Sequence, residues 1–182
     1  GREQIYDMHD LHARFPDPLV PRSLRVEVSE RTDRDGRIFK APDAEQSVAI
    51  VDDLLKQGVE AVAISLLHSY KNPENEQALK DQISKEHPDL PLSLSSEVAP
   101  VINEYERTST TVADTYIKPS VSRYLRSVER ELAEKGYAGR LLVMHSAGGV
   151  MDANAAIERP VRMLESGPAA GALAAGFYSD LL

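Results

Sequence analysis

The sequence contains no cysteine and no tryptophan, and only 5% of its residues are aromatic. Without cysteine there is no disulfide framework, no thiolate metal ligand and no thiol nucleophile, and the redox compartment is unconstrained. Positive charge is in deficit. Lys and Arg number 21 against 29 Asp and Glu, a net charge of -8, which argues against a nucleic-acid or anionic-membrane surface. Long hydrophobic runs are also missing: Val59 to Leu67, interrupted by Glu60 and Ser65, is far short of the roughly 20 apolar residues that span a bilayer. No apolar stretch follows the polar start Gly1-Arg2-Glu3-Gln4, so no secretory signal is read there and a soluble, cytoplasmic protein is expected. A Walker-type phosphate loop, internal repeats and low-complexity tracts are absent as well.

What is present suffices for an ordinary core, since 42% of the 182 residues are hydrophobic. Pro16, Pro18 and Pro21 make residues 1–22 an extended connector. Leu24, Val26 and Val28 alternate with polar residues, and Asp33-Arg34-Asp35-Gly36 supplies a turn before Arg37-Ile38-Phe39-Lys40, the pattern of a β-hairpin. Asp43 is placed to cap a helix from Ala44 to about Gln57, followed by a buried strand over 59–67, a helix from Pro73 to His87 and a strand over 91–95. That order predicts an α/β layer with a mostly parallel sheet. Beyond a seam at about 95–103, the periodicity predicts a long helix kinked or broken at Pro119 and ending at Gly136. A strand at 141–144, a short helix at 153–157, a strand at 161–164 and a helix of Ala and Gly from Pro168 to Tyr178 complete the chain. Small residues along that last helix let another backbone approach closely.

Several residues carry chemical potential. Gly148-Gly149 after a strand allows backbone amides to close on an anion, although such a pair is also an ordinary tight turn. Ser166-Gly167-Pro168 at a helix start is read the same way, with Ser166 as an N-cap. His68 and His145 stand at the carboxyl ends of predicted strands, where open α/β sheets place ligand residues. His9 and His12 lie near Asp7 and Asp10, more in the manner of a solvated connector than of a metal site, and no metal-binding set is expected. The densest polar run is Glu104, Glu106 and Arg107 with Thr108, Ser109, Thr110 and Thr111. It reads either as a solvated face or capping network, or as a polar pocket wall in which Arg107, Thr108, Ser109 and Thr110 would bind substrate.

At these residues the chain resembles the hydantoinase A and 5-oxoprolinase family, which also contains acetone and acetophenone carboxylase subunits. The matching blocks run along nearly the whole chain: Ile5-Tyr6-Asp7, Pro18-Leu19-Val20-Pro21-Arg22, Glu27-Val28-Ser29-Glu30-Arg31, Leu67-His68-Ser69-Tyr70, Leu92-Ser93-Leu94-Ser95-Ser96-Glu97-Val98, Tyr105 to Val112, and Ser166-Gly167-Pro168-Ala169-Ala170-Gly171. Their order and spacing carry the resemblance. One block departs: the family usually has Gln-Ser-Asn-Gly-Gly where this chain has His145-Ser146-Ala147-Gly148-Gly149.

The resemblance implies a partial actin-like ATPase (ribonuclease H-like) fold. Residues 1–98 would be the end of the hydantoinase/oxoprolinase N-terminal region, and 99–182 the start of the hydantoinase A domain up to its phosphate loop. It implies a full-length enzyme that uses ATP and Mg2+ to open hydantoin or 5-oxoproline, a small cyclic amide, by phosphorylating the ring carbonyl oxygen. The carboxylase branch would instead activate a ketone or bicarbonate. A hydantoinase B-type partner subunit or domain is implied, with no nucleic acid or membrane involved. The glycine-threonine loops of the nucleotide site do not occur in these residues, so this stretch would be inactive alone. Catalytic candidates are His68, Glu104, Arg107 and His145, and Gly148, Gly149, Ser166 and Gly167 are candidates for the cofactor. A non-catalytic actin-like scaffold is the reading from a different class.

Overall fold

The computed structural model of the chain describes His12 and residues 17–181. His9, its acidic neighbours and the Ile5-Tyr6-Asp7 block lie outside the described residues. The first element among the described residues is a 3-10 turn at Arg22–Leu24. Strand β1 (Arg31–Thr32) then pairs antiparallel with β2 (Ile38–Lys40). The hairpin is shorter and begins later than the alternation of Leu24, Val26 and Val28 predicts. Val26 is 49% exposed and only Val28 packs against the core, so no second strand rewards extension there. Its turn is made by Asp33, whose Oδ1 accepts the amides of Asp35 and Arg37, each at 2.9 Å, and by Gly36 at φ 86°.

Helix α1 (Ala44–Lys56) starts where Asp43 accepts the amide of Gln46 at 2.8 Å. It leads to β3 (Val62–Ile64), helix α2 (Glu74–Glu86) and β4 (Leu92–Leu94), and β3 and β4 pair in parallel with Ile64 opposite Leu94. The expected α/β layer is therefore present. Its core is Val51, Ile64, Leu79, Ile83 and Leu94, which α1, the strands and α2 bring together at helical and strand spacing. Among the described residues this is the parallel pair, and the other two strand pairs are antiparallel.

Strand β4 runs directly into the short helix α3 (Ser95–Val98), and α4 (Glu104–Glu134) follows. Helix α4 is continuous through Pro119, so of the expected kink or break the break does not occur. Proline deletes one amide donor, but the preceding two turns are locked from outside by the buried Arg107, Thr111, Asp114 and Thr115. After α4, β5 (Leu142–Met144) and β6 (Val150–Asp152) form a second antiparallel hairpin. Helix α5 (Ala153–Glu158), a 3-10 turn at Pro160–Met163 and α6 (Ser166–Leu181) are the last elements among the described residues. The 3-10 turn replaces a predicted strand, because the Val161 amide is taken by the Asp114 side chain and not by a neighbouring strand. No described helix is long and apolar enough to cross a membrane.

Candidate functional site

The carboxyl ends of β3 and β4 open onto a loop, residues 65–72, that returns to α2. Parallel α/β sheets place ligands at such ends, and here the edge is built on a buried polar network. Glu76, in the first turn of α2, is fully buried. Its Oε1 accepts the Leu66 amide at 2.8 Å and the Ser95 hydroxyl at 2.6 Å, and its Oε2 accepts the Ser96 amide at 2.8 Å. Ser95 spends its only proton on Glu76, so at 2.9 Å the Ser69 hydroxyl must be the donor to Ser95.

Arg107 enters the same network from the first turn of α4 and is 1% exposed. Its Nε donates to Ser95 Oγ at 3.2 Å, Nη1 to the Val101 carbonyl at 3.0 Å and Nη2 to the Leu66 carbonyl at 3.0 Å. The guanidinium also lies over the Tyr70 ring, 5.5 Å from its centroid. Thr108 Oγ1 meets Ser65 Oγ at 2.8 Å. Glu104 is exposed at the start of the helix, the helical period turns the exposed Ser109 off the face that carries Arg107, and Thr110, three residues on, stands half-buried at the edge of that face. Thr111 stays on that face, returning its hydroxyl to the Arg107 carbonyl at 2.7 Å. His68 sits in the loop at φ 59°, with its ring 6.2 Å from that of Tyr70. The structure thus gathers His68, Arg107 and Thr108, and adds Ser69, Tyr70 and Ser95, which stand in the matching blocks without an assigned role, and Glu76, which sequence reasoning did not single out.

One atom beside the network is unsatisfied: the Ser96 hydroxyl is buried with no hydrogen-bond partner among the described residues. Ser96→Ala is therefore expected to stabilise the protein by about 1 kcal/mol, because it removes a buried unpaired hydroxyl and favours helix. A thermal melt showing no rise, or a fall, would contradict this.

Two turns along α4 lies a second buried charge. Asp114 is fully buried, with Oδ2 accepting Ser93 Oγ at 2.8 Å and Oδ1 accepting the Val161 amide at 3.0 Å. Lys118 Nζ is 3.5 Å from Asp114 and donates to the Leu92 carbonyl at 3.0 Å. Burial pushes the Lys118 ammonium below its ordinary pKa, against the opposing pull of Asp114. The unfolded chain then holds that proton more tightly than the folded one. Stability should rise with pH from the lowered folded value up to the ordinary 10.5. In urea unfolding across that window, the wild type should gain on Lys118→Met as pH rises. A constant difference between the two would show that Lys118 is not displaced.

The remaining candidates lie around the second hairpin. Gly148, at φ 84°, forms its turn, and the amide donates to the His145 carbonyl at 3.0 Å. A β-carbon there would meet Leu173 of α6 at 3.2 Å, and one on Gly149 would meet the His145 ring at 2.6 Å. His145 Nδ1 in turn accepts the Ala147 amide at 3.1 Å. Both glycines therefore have a packing reason. Ser166 and Gly167 begin α6, where Gly167 is exposed and has open space around it. The Gly148 amide does not stand free for an anion, being spent within the turn. Nor do any three His, Asp or Glu side chains gather to hold a metal ion among the described residues.

With this geometry in hand, comparison with known proteins is informative. Residues 1–87 match the model of the hydantoinase/oxoprolinase N-terminal region, and residues 107–182 match that of hydantoinase/oxoprolinase. The chain is 36% identical over 165 residues to the caprolactamase subunit alpha of Pseudomonas jessenii, covering 90% of this chain and 24% of that one. It is 32% identical over 173 residues to the acetophenone carboxylase gamma subunit of Aromatoleum aromaticum, covering 92% and 23%. The crystal structure of the ATP-dependent caprolactamase of Pseudomonas jessenii superposes with a TM-score of 0.79 at 33% identity, covering 92% of this chain and 25% of that chain. The chain thus spans about a quarter of the length of the relatives it matches.

Proposed function

The chain belongs to the hydantoinase/oxoprolinase family, with the α/β, actin-like fold of its members, and from that membership we propose that the full-length protein is an ATP-dependent hydrolase. Its substrate would be a small cyclic amide such as hydantoin or 5-oxoproline. The observation that carries this reading is the similarity to a caprolactamase in both sequence and structure, since a lactam is itself a cyclic amide. An amide resists hydrolysis because its nitrogen lone pair is delocalised into the carbonyl. ATP supplies the phosphoryl group that makes the amide oxygen a leaving group, with Mg2+ accompanying the nucleotide.

The residues of this chain serve the substrate side. Loop 65–72 and the start of α4 form a wall whose backbone is fixed from beneath by Glu76 and Arg107. Fixed polar groups of this kind orient a bound carbonyl compound without reorganisation cost. The two curated relatives compared above are named as subunits, which supports a hydantoinase B-type partner for this protein too. The test is to incubate the full-length protein and its partner with 5-oxoproline or hydantoin and to follow the ring-opened acid by NMR. Product that forms only when ATP is present supports the reading. Product without ATP, or none with either substrate, overturns it. The acetophenone carboxylase similarity favours a second reading, ATP-dependent carboxylation of a ketone, in which the same wall would receive the ketone carbonyl.

A further inference from the structure

Loop 65–72 is fixed more firmly than a simple connection between β3 and α2 requires. It is gripped on both sides of Leu66: the amide donates to Glu76 and the carbonyl accepts from Arg107. Ser69, 2% exposed, is tied to Ser95. The far end closes where Asn72 Nδ2 donates to the Gly36 carbonyl at 2.9 Å. Between these ties stands His68, at φ 59°. Its carbonyl accepts the amides of Lys71 at 2.9 Å and Asn72 at 3.2 Å, so the conformation is stapled in place.

The left-handed region disfavours any residue with a β-carbon, and glycine would form the same turn without strain. A non-glycine residue kept there by buried groups points to a use for its side chain. Arg107 supports the face of the Tyr70 ring, and Tyr70 flanks the His68 imidazole. Guanidinium, phenol and imidazole thus stand in series from the buried network to the half-buried loop.

We propose that Glu76 and Arg107 are positioning residues that hold His68 in its left-handed conformation through Ser95, Leu66 and Tyr70, so that the imidazole contacts the carbonyl substrate. Arg107 then serves the site from behind the loop. A neutral imidazole carries one donor and one acceptor, which suits the N–H and C=O of a cyclic amide. The proposal rests on the reading of the full-length protein as a carbonyl-activating enzyme of this family.

The test is a mutant cycle in the full-length protein with its partner subunit, using His68→Gly, Arg107→Lys and the double variant. His68→Gly removes the imidazole and relieves the backbone, so it should melt no lower than the wild type. Each single variant should lower kcat/KM by about tenfold or more. The double variant should be no worse than His68→Gly, because Arg107 acts through His68. Amide exchange across 66–72 should quicken in Arg107→Lys. If Arg107→Lys does not fold, Tyr70→Leu takes its place in the kinetic cycle, since it cuts the ring link and spares the backbone ties. Wild-type kcat/KM in His68→Gly, independent losses in the double variant, or unchanged loop exchange in Arg107→Lys would each overturn the proposal. A wild-type protein inactive towards cyclic amides and ketones would instead sink the functional reading, and the exchange measurement would then decide the positioning claim alone.

Discussion

Glu76→Ala is expected to destabilise the protein by about 3–5 kcal/mol, the cost of removing one partner from a buried charged network. Two backbone amides, Leu66 and Ser96, and the Ser95 hydroxyl all lose their acceptor at once. No water replaces it without entering a position that is fully buried. Arg107 suffers too, because Ser95 is the link between its Nε and the Glu76 carboxylate. Glu76→Gln should be nearly as damaging despite its matching shape. Both oxygens of Glu76 face donors, so whichever one is replaced by an NH2 group meets an N–H or O–H. Equilibrium unfolding in urea measures both variants. A loss below about 1 kcal/mol in Glu76→Ala would mean that the network is not closed in the way described.

Asp114→Ala is the second large effect, expected at about 3 kcal/mol. Asp114 receives Ser93 from β4 and Val161 from the turn after α5, and it lies beside Lys118 on its own helix. Deleting its carboxylate leaves the Lys118 ammonium, 12% exposed, without a counter-charge in that ion pair. Asp114→Asn should cost less, since its carbonyl can still accept one of the two hydrogen bonds. The order Asp114→Ala, then Asp114→Asn, then wild type in increasing stability is checked by the same unfolding experiment. Equal stability of the two variants would contradict the role given to the second oxygen.

Much of the layer around β3 and β4 was legible because its signals are local. Asp43 at the start of α1, the apolar spacing of Val51 and Leu54, and the short apolar runs at β3 and β4 all act within a few residues. Where the reading moved, a non-local partner decided. Val161 has strand propensity, yet its amide bonds to Asp114, 47 residues away. Gly148-Gly149 was weighed as an anion loop or a tight turn. It proves to turn a hairpin into β6, a strand that only its pairing with β5 reveals.

About half of the candidate site is legible in the sequence. The polar run drew attention to Arg107 and Thr108 by composition, and strand position drew it to His68. Glu76 was overlooked because Glu74-Asn75-Glu76-Gln77 reads as a solvated first helical turn, and its burial is caused by Ser95 and Ser96, about twenty residues on. A clue was nevertheless available in α4. Arg107, Thr111, Asp114 and Lys118 recur at spacings of four, three and four, the stripe of one helix face. A search for apolar periodicity passes over such a stripe, because here the inward face is polar.

The most direct test of the whole account is ADP release by the full-length protein with its partner subunit. It should be measured with hydantoin or 5-oxoproline on one side and with acetone or acetophenone plus bicarbonate on the other. The account predicts that a cyclic amide raises the rate several-fold or more above the rate with ATP alone, and that ketone with bicarbonate does not. Stimulation by the ketone alone of the two classes, or by neither, would contradict it.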